Sequence, residues 1–191
     1  MFPRLIIFDR DDTLVRVPAG VRYLYGDDSI ELLPGVGAAL RHLARRGITS
    51  VVATNQQGVS MREFPLMTME SVALFNRRLS RRIKEEGGRI SRFFVCPHLE
   101  SEQCDCRKPR PGLFIKALRA YNVLPTQAIG IGNSERDIDA TRAAGVQPVL
   151  VPYPAGTSIP QGVPAYRTML HAVRGVCGGF GKCGSLHATG S

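Results

Sequence analysis

No apolar run in this chain approaches the roughly 18 residues that a membrane-spanning helix needs. The start, Met1-Phe2-Pro3-Arg4, leads into an apolar stretch that is too short for a secretory leader and ends in acidic residues, with no small-residue cleavage site. A cytoplasmic protein with no membrane partner is the expectation. Tryptophan is absent and aromatic residues make up only 7% of the chain. No basic stretch is interleaved with aromatics, so the stacking surfaces of a single-strand nucleic-acid binder are missing and no nucleic-acid partner is expected. No internal repeat is present. Acidic residues are outnumbered 16 to 25, giving a net charge of +9. Much of that excess lies on helix-period segments (Arg41, Arg45, Arg46; Arg77, Arg78, Arg81, Arg82, Lys84), the pattern of a solvated helix face. The same field would draw in a small phosphorylated substrate.

What remains is an ordinary globular composition, 43% hydrophobic and 21% charged, in 191 residues. That length fits one domain with its own core and a monomeric protein. Apolar runs alternate with helix-period segments, which predicts an α/β fold, a doubly wound and mostly parallel sheet covered by helices. Strands are expected at Leu5–Phe8, Ile48–Ala53, Phe93–Val95, Ala128–Gly132 and Val149–Val151. Helices are expected after Pro34, Thr68, Pro111 and Ser134. The 14–33 segment, with Val21, Tyr23 and Tyr25 alternating, is expected to form a hairpin flap over the strand ends. No large cap domain is expected. The domain is placed at 1–174, followed by a Gly- and Ser-rich mobile tail at 175–191.

Polar clusters recur where the expected strands stop: Asp9/Asp11, Thr54/Asn55, Cys96/His98 and Asn133/Asp137. In an open parallel sheet those ends share the edge at which ligands bind. Asp9 and Asp11 stand two residues apart on nearly extended chain and so point the same way. One carboxylate can attack phosphorus while its neighbour protonates the leaving oxygen. An anionic nucleophile meeting an anionic phosphate needs a cation, and Mg²⁺ suits oxygen ligands. Beside them Thr54, Asn55 and Gln56 offer a hydroxyl and amides for phosphate and sugar oxygens.

The cysteines number five. Cys96, Cys104 and Cys106 surround His98 within eleven residues, and three thiolates with one imidazole select a closed, tetrahedral structural Zn²⁺. Such an ion would pin the loop that carries Arg107 and Lys108 to the phosphate. Cys177 and Cys183 have no histidine at ligand spacing.

Taken in order, Asp9-x-Asp11-x-Thr13, Thr54, Lys108 and the Gly132-to-Asp137 segment resemble the motif set of haloacid dehalogenase phosphatases. The resemblance covers residues 4 to 151. It implies an enzyme with Asp9 as nucleophile, Asp11 as general acid/base, and Thr54 and Lys108 on the transferred phosphoryl group. Asp-Arg-Asp, Thr54-Asn55-Gln56 and Cys106-Arg107-Lys108-Pro109-x-Pro111-Gly112 are similar to the heptose bisphosphate and histidinol-phosphate phosphatases. Pro111-Gly112 and the 31–36 segment favour the heptose enzymes, whereas Glu63-Phe64-Pro65 and the short His98–Cys104 run resemble the histidinol enzymes. Two departures stand out. Asn133 replaces an aspartate that the family uses to bind Mg²⁺, keeping a carbonyl oxygen but no charge, while Asp137 remains as a supporting acid. Asp12 replaces the usual glycine. A catalytically impaired phosphosugar-binding relative is therefore a further alternative.

Overall fold

The computed structural model describes residues 2–151 and 159–178. Its centre is β1 (Leu5–Phe8), four apolar residues that are all fully buried. A strand covered on both faces carries no polar alternation, which is why this one is an unbroken apolar run. Parallel partners flank it, β2 (Thr49–Asn55) on one side and β4 (Ala128–Gly132) on the other. β3 (Arg92–Cys96) and β5 (Gln147–Leu150) complete a five-stranded parallel sheet in the order β3-β2-β1-β4-β5. Successive side chains leave opposite faces. Ile6 and Phe8 join one core, with residues of the helices α1 (Val36–Arg45) and α2 (Met69–Glu85). Leu5 and Ile7 join the other, with α3 (Gly112–Tyr121), and α4 (Glu135–Ala143) connects β4 to β5.

The expected strands and helices are present, displaced by no more than a few residues at their ends. Thr68 caps α2 as anticipated: its hydroxyl accepts from the Ser71 N–H at 3.2 Å, and the Ser71 hydroxyl accepts from the Thr68 N–H at 2.9 Å.

Three expectations change. A further helix, α5 (Met169–Cys177), packs against α1, and its buried Met169, Ala172, Val173 and Val176 fall at helical spacing behind the Thr168 cap. This helix runs through the boundary placed at residue 174. Gly175 lies within it, with the Tyr166 ring where a Cβ would stand, and Val176 and Cys177 are buried. The rest of the expected tail, with Cys183 and His187, lies outside the described residues. Third, the flap is not a hairpin. Only its ends pair, through Arg16 N–H to the Glu31 carbonyl (2.9 Å) and Leu33 N–H to the Leu14 carbonyl (3.0 Å). Pro18 and the left-handed Gly20 and Gly26 (φ 79° and 57°) interrupt strand geometry between them. Arg78 of α2 holds the segment instead, donating to the carbonyls of Gly26 and Asp28 at 3.0 and 2.9 Å. Among the described residues no separate cap domain stands over the sheet, and no helix is long and apolar enough to cross a membrane.

Candidate active site

The strand order reverses direction at β1, and the chain leaves β1 at Asp9. A crevice opens at such a switch point, outside the carboxyl ends of the strands. Here it is a cleft of about 500 Å³ that brings together Asp9, Asp11, Thr54, Asn55, Arg107, Lys108, Asn133 and Asp137. Three strand ends and the loop that leads from β3 to α3 thus meet at one place.

At its centre is Lys108, only 4% exposed. Its ammonium donates to Asp9 Oδ1 at 2.6 Å, to Asp137 Oδ1 at 2.6 Å and to the Ala53 carbonyl at 2.9 Å, which uses all three protons. The Asn55 amide holds the Lys108 backbone from both sides, accepting from its N–H (3.1 Å) and donating to its carbonyl (3.0 Å). Asn55 therefore positions the lysine, while its second amide proton remains on the cleft side of a residue that lines the cleft. Asp137 is fixed in turn by the Ser134 hydroxyl (2.6 Å) and N–H (3.1 Å) at the start of α4. Gly132 is glycine for a local reason, since a Cβ there would collide with the Asp137 side chain.

The electrostatics divide the two carboxylates that share Lys108. Burial alone would raise the Asp137 carboxyl, but the Lys108 charge and the hydrogen bonds from Lys108 and Ser134 hold it below its ordinary value. For Asp9, burial pushes the carboxyl up and Lys108 pulls it down, while Asp137 and Asp11 push it up again, leaving it at about 7. Lys108 is raised: burial opposes its charge, and the two aspartates more than offset that. Asp9 is thus a desolvated carboxylate with less positive charge around it than it needs. Asp9, Asp11 and Asn133, which meet in the cleft, can each offer oxygen donors, and that suits a hard divalent cation.

Asp11 is gripped from below. Arg10, fully buried, donates through Nε to Asp11 Oδ1 (2.8 Å) and through Nη2 to Oδ2 (3.1 Å), and Gln56 Nε2 adds 2.8 Å to Oδ2. The same Gln56 nitrogen donates to Thr54 Oγ1 at 2.8 Å. Gln56 was expected on the substrate. It is instead wholly buried beneath Asp11 and Thr54, because its neighbours on the strand end already face the cleft. Asp12 sits at φ 52°, a left-handed position that explains the usual glycine and that aspartate tolerates. Its Oδ1 accepts from the Val17 N–H at 2.9 Å, tying the turn after β1 to the flap. Arg10 is not among the residues that the motifs single out. The signal was there: a residue between two cleft-facing neighbours on extended chain must turn inward.

Arg107 lines the cleft and is 7% exposed, and its Nη1 has no hydrogen-bond partner among the described residues. A buried guanidinium nitrogen without a partner suits an anionic ligand. Just before it, Cys96, His98, Cys104 and Cys106 bring their ligand atoms within 4.8 Å of one another. The individual contacts are 3.6 Å for Cys96–His98, 3.6 Å for Cys96–Cys104, 3.5 Å for Cys104–Cys106 and 3.2 Å for His98–Cys106. Tetrahedral ligands at Zn–S distances of about 2.3 Å would stand about 3.8 Å apart, slightly less where nitrogen replaces sulfur. The four residues therefore fit one such ion. Gly112 closes the loop, its N–H donating to the Asp105 carbonyl at 3.0 Å where a Cβ would collide with that carbonyl.

Comparison with known proteins agrees with this geometry. The profile of the haloacid dehalogenase-like hydrolases matches residues 19–145. A D-glycero-β-D-manno-heptose-1,7-bisphosphate 7-phosphatase of Pseudomonas putida is 35% identical over 168 residues, covering 84% of this chain and 90% of that protein. A D-glycero-α-D-manno-heptose-1,7-bisphosphate 7-phosphatase of Mycobacterium bovis is 37% identical over 135 residues, 70% of this chain and 69% of that one. The crystal structure of D,D-heptose 1,7-bisphosphate phosphatase from B. bronchiseptica, complexed with magnesium and phosphate, superposes with a TM-score of 0.79 at 29% identity, covering 90% of this chain and 96% of that one. With a parallel sheet, an aspartate pair at its switch point and relatives that match along most of their length, the chain belongs to the haloacid dehalogenase-like hydrolases.

Proposed function

We propose that this protein removes the C7 phosphate from a D-glycero-D-manno-heptose 1,7-bisphosphate through an aspartyl-phosphate on Asp9. The observation that carries the reading is Lys108, ion-paired with Asp9 and Asp137 in the same cleft as Asp11. With Oδ1 held by Lys108, Asp9 Oδ2 attacks phosphorus. The bond from phosphorus to the sugar oxygen breaks, and Asp11 gives that oxygen its proton. Water then attacks the aspartyl-phosphate, passing its proton to Asp11, and phosphate leaves with Asp9 restored. The Lys108 ammonium is placed to transfer a hydrogen bond from Asp9 to the phosphoryl oxygens as charge moves onto them. Thr54 accepts from Gln56, so its own hydroxyl proton can be donated into the cleft. Arg107 suits a phosphate oxygen of the substrate. Asp9, Asn133 and Asp11 through its main-chain carbonyl, which leaves the Asp11 carboxyl to the proton transfer, would hold Mg²⁺, which when bound supplies the positive charge that lets a carboxylate approach a phosphate.

The test is a phosphate-release panel across Mg²⁺ concentrations, using both anomers of the heptose bisphosphate, histidinol phosphate and a 3′-phosphorylated oligonucleotide. A heptose bisphosphate should be the best substrate and lose phosphate at C7. A preference for histidinol phosphate would move the chain to that activity, and no turnover of any substrate at millimolar Mg²⁺ would favour the non-catalytic alternative. In the same assay Asn133→Asp should lower the half-saturating Mg²⁺ by about ten-fold. One unit charge at about 4 Å is worth on the order of 4 kcal/mol at an effective dielectric near 20, and a third of that is a factor of ten. Identical titrations would show that Asn133 is not a ligand.

For the cysteine cluster the proposed ion is zinc, about one per chain, in a structural role since four protein ligands leave no position for water. Stripping it should lower the melting temperature and raise KM, because the loop it pins carries Arg107 and Lys108. Protein purified without chelator that holds no zinc yet turns over fully would overturn this assignment.

A further inference from the structure

Arg10 contacts neither cleft nor solvent, yet it is among the largest fully buried side chains of the protein. Burying a guanidinium costs several kcal/mol unless its donors are satisfied. Here four of the five donors are bonded, by partners from three places. Nε and Nη2 form the fork on Asp11, Nη2 also donates to the Leu24 carbonyl of the flap at 2.8 Å, and Nη1 donates to Asn76 Oδ1 of α2 at 3.0 Å. The Phe75 ring lies 4.8 Å from the guanidinium carbon. An arginine held this firmly fixes whatever it holds. A carboxylate has about four acceptor positions. Arg10 takes one on each oxygen and Gln56 takes the second on Oδ2. One position is left, on Oδ1, and Asp11 is still a quarter exposed at the cleft.

We propose that Arg10 is a positioning residue that aims the last acceptor position of Asp11 at the leaving oxygen. The proposal rests on the reading of Asp11 as the acid. A proton transfer works only within hydrogen-bond reach and alignment, and about 10²–10⁴-fold in rate depends on it. Arg10 contributes aim, and its anchors on α2 and the flap make that aim a property of the fold rather than of the Asp11 turn alone. A lysine in its place keeps the charge but cannot form the fork.

The experiment compares two substrates with each variant at saturating Mg²⁺. An alkyl phosphate such as the heptose bisphosphate needs its leaving oxygen protonated, whereas p-nitrophenyl phosphate expels a stable phenolate that does not. The readout is kcat/KM, which covers the steps up to phosphoryl transfer to Asp9, expressed as the loss on the alkyl substrate divided by the loss on the aryl one. Misfolding or weakened metal binding depresses both substrates and cancels in this ratio. Arg10→Lys should raise the ratio by about 100-fold, towards that of Asp11→Asn. Asn76→Ala, which removes one anchor and leaves the fork, should raise it by several-fold and carries the test if Arg10→Lys does not fold. A ratio near one for the folded variants, with Asp11→Asn still discriminating, overturns the positioning role alone. A ratio near one for Asp11→Asn removes the acid reading and this proposal with it.

Discussion

Asp9→Asn should lower phosphate release by about 10⁴-fold or more, the scale seen when a nucleophile is removed from a site whose other parts remain. The same variant should be at least as stable as the parent at pH 8 in metal-free buffer. The sign follows from the position of the carboxyl. Burial, resisted by Lys108 and reinforced by Asp137 and Asp11, raises Asp9 from 3.8 to about 7. Above that pH the folded protein carries a buried charge that the unfolded chain would hold in water, so ionised Asp9 subtracts from stability. The neutral amide removes that burden while Asp137 keeps Lys108 paired. On the proposed role of Asp9, activity and stability thus pull in opposite directions at one desolvated residue. Phosphate release and thermal melting of the two proteins check this. Near-normal release from folded Asp9→Asn would point to a metal-activated water as nucleophile. A melting temperature lowered by several degrees would refute the electrostatic account.

How far the sequence predicts this arrangement depends on what kind of contact makes each part. Strands β1 and β4 are short apolar runs that stop at polar residues, and burial on both faces produces that pattern directly. The cleft residues follow from topology, because in a parallel sheet every strand end reaches the same edge. Local ligand spacing makes the Cys96–Cys106 cluster readable without any fold at all. The division of labour among the polar residues is another matter. Asn55 and Gln56 follow Thr54 as two similar amides, yet one clamps the Lys108 backbone and the other lies under Asp11. Only the side-chain alternation past the end of β2, together with partners 53 and 45 residues away, decides which does which. The 14–33 segment misled because alternating Val21, Tyr23 and Tyr25 imitate a strand while the flanking glycines and Arg78 impose a loop. Helix α5 was obscured by Gly175, whose lack of a side chain weakens a helix locally but admits the Tyr166 ring.

Lys108→Met should be the most damaging single change for folding and activity together. Its ammonium is the shared counter-charge of two buried carboxylates, and removing one partner of a buried ion pair costs about 3–5 kcal/mol. The loss should depend on pH in a definite direction. In the parent, Asp137 is held below its ordinary value, so it adds stability above the ordinary carboxylate range and loses it as pH falls through its folded value. Lys108 is raised above 10.5, so its contribution is present below that value and fades as pH rises beyond it. Without the ammonium, burial and mutual repulsion push both aspartates up, and each then opposes folding once ionised. Acidification from pH 8 towards pH 5 should therefore stabilise the variant more than the parent: both aspartates are raised in the variant, whereas in the parent only Asp9 titrates in this range and Asp137 stays held down by Lys108. Turnover should fall by about 10²–10³-fold at any pH where the variant is folded, since the phosphoryl oxygens lose a pre-placed charged donor. Denaturant unfolding at pH 5 and pH 8 in metal-free buffer measures the first effect, and phosphate release from the folded variant the second. A stability gap between parent and variant that is the same at both pH values would mean that Lys108 contributes packing rather than charge, and turnover above a tenth of the parent's would remove it from the phosphoryl site.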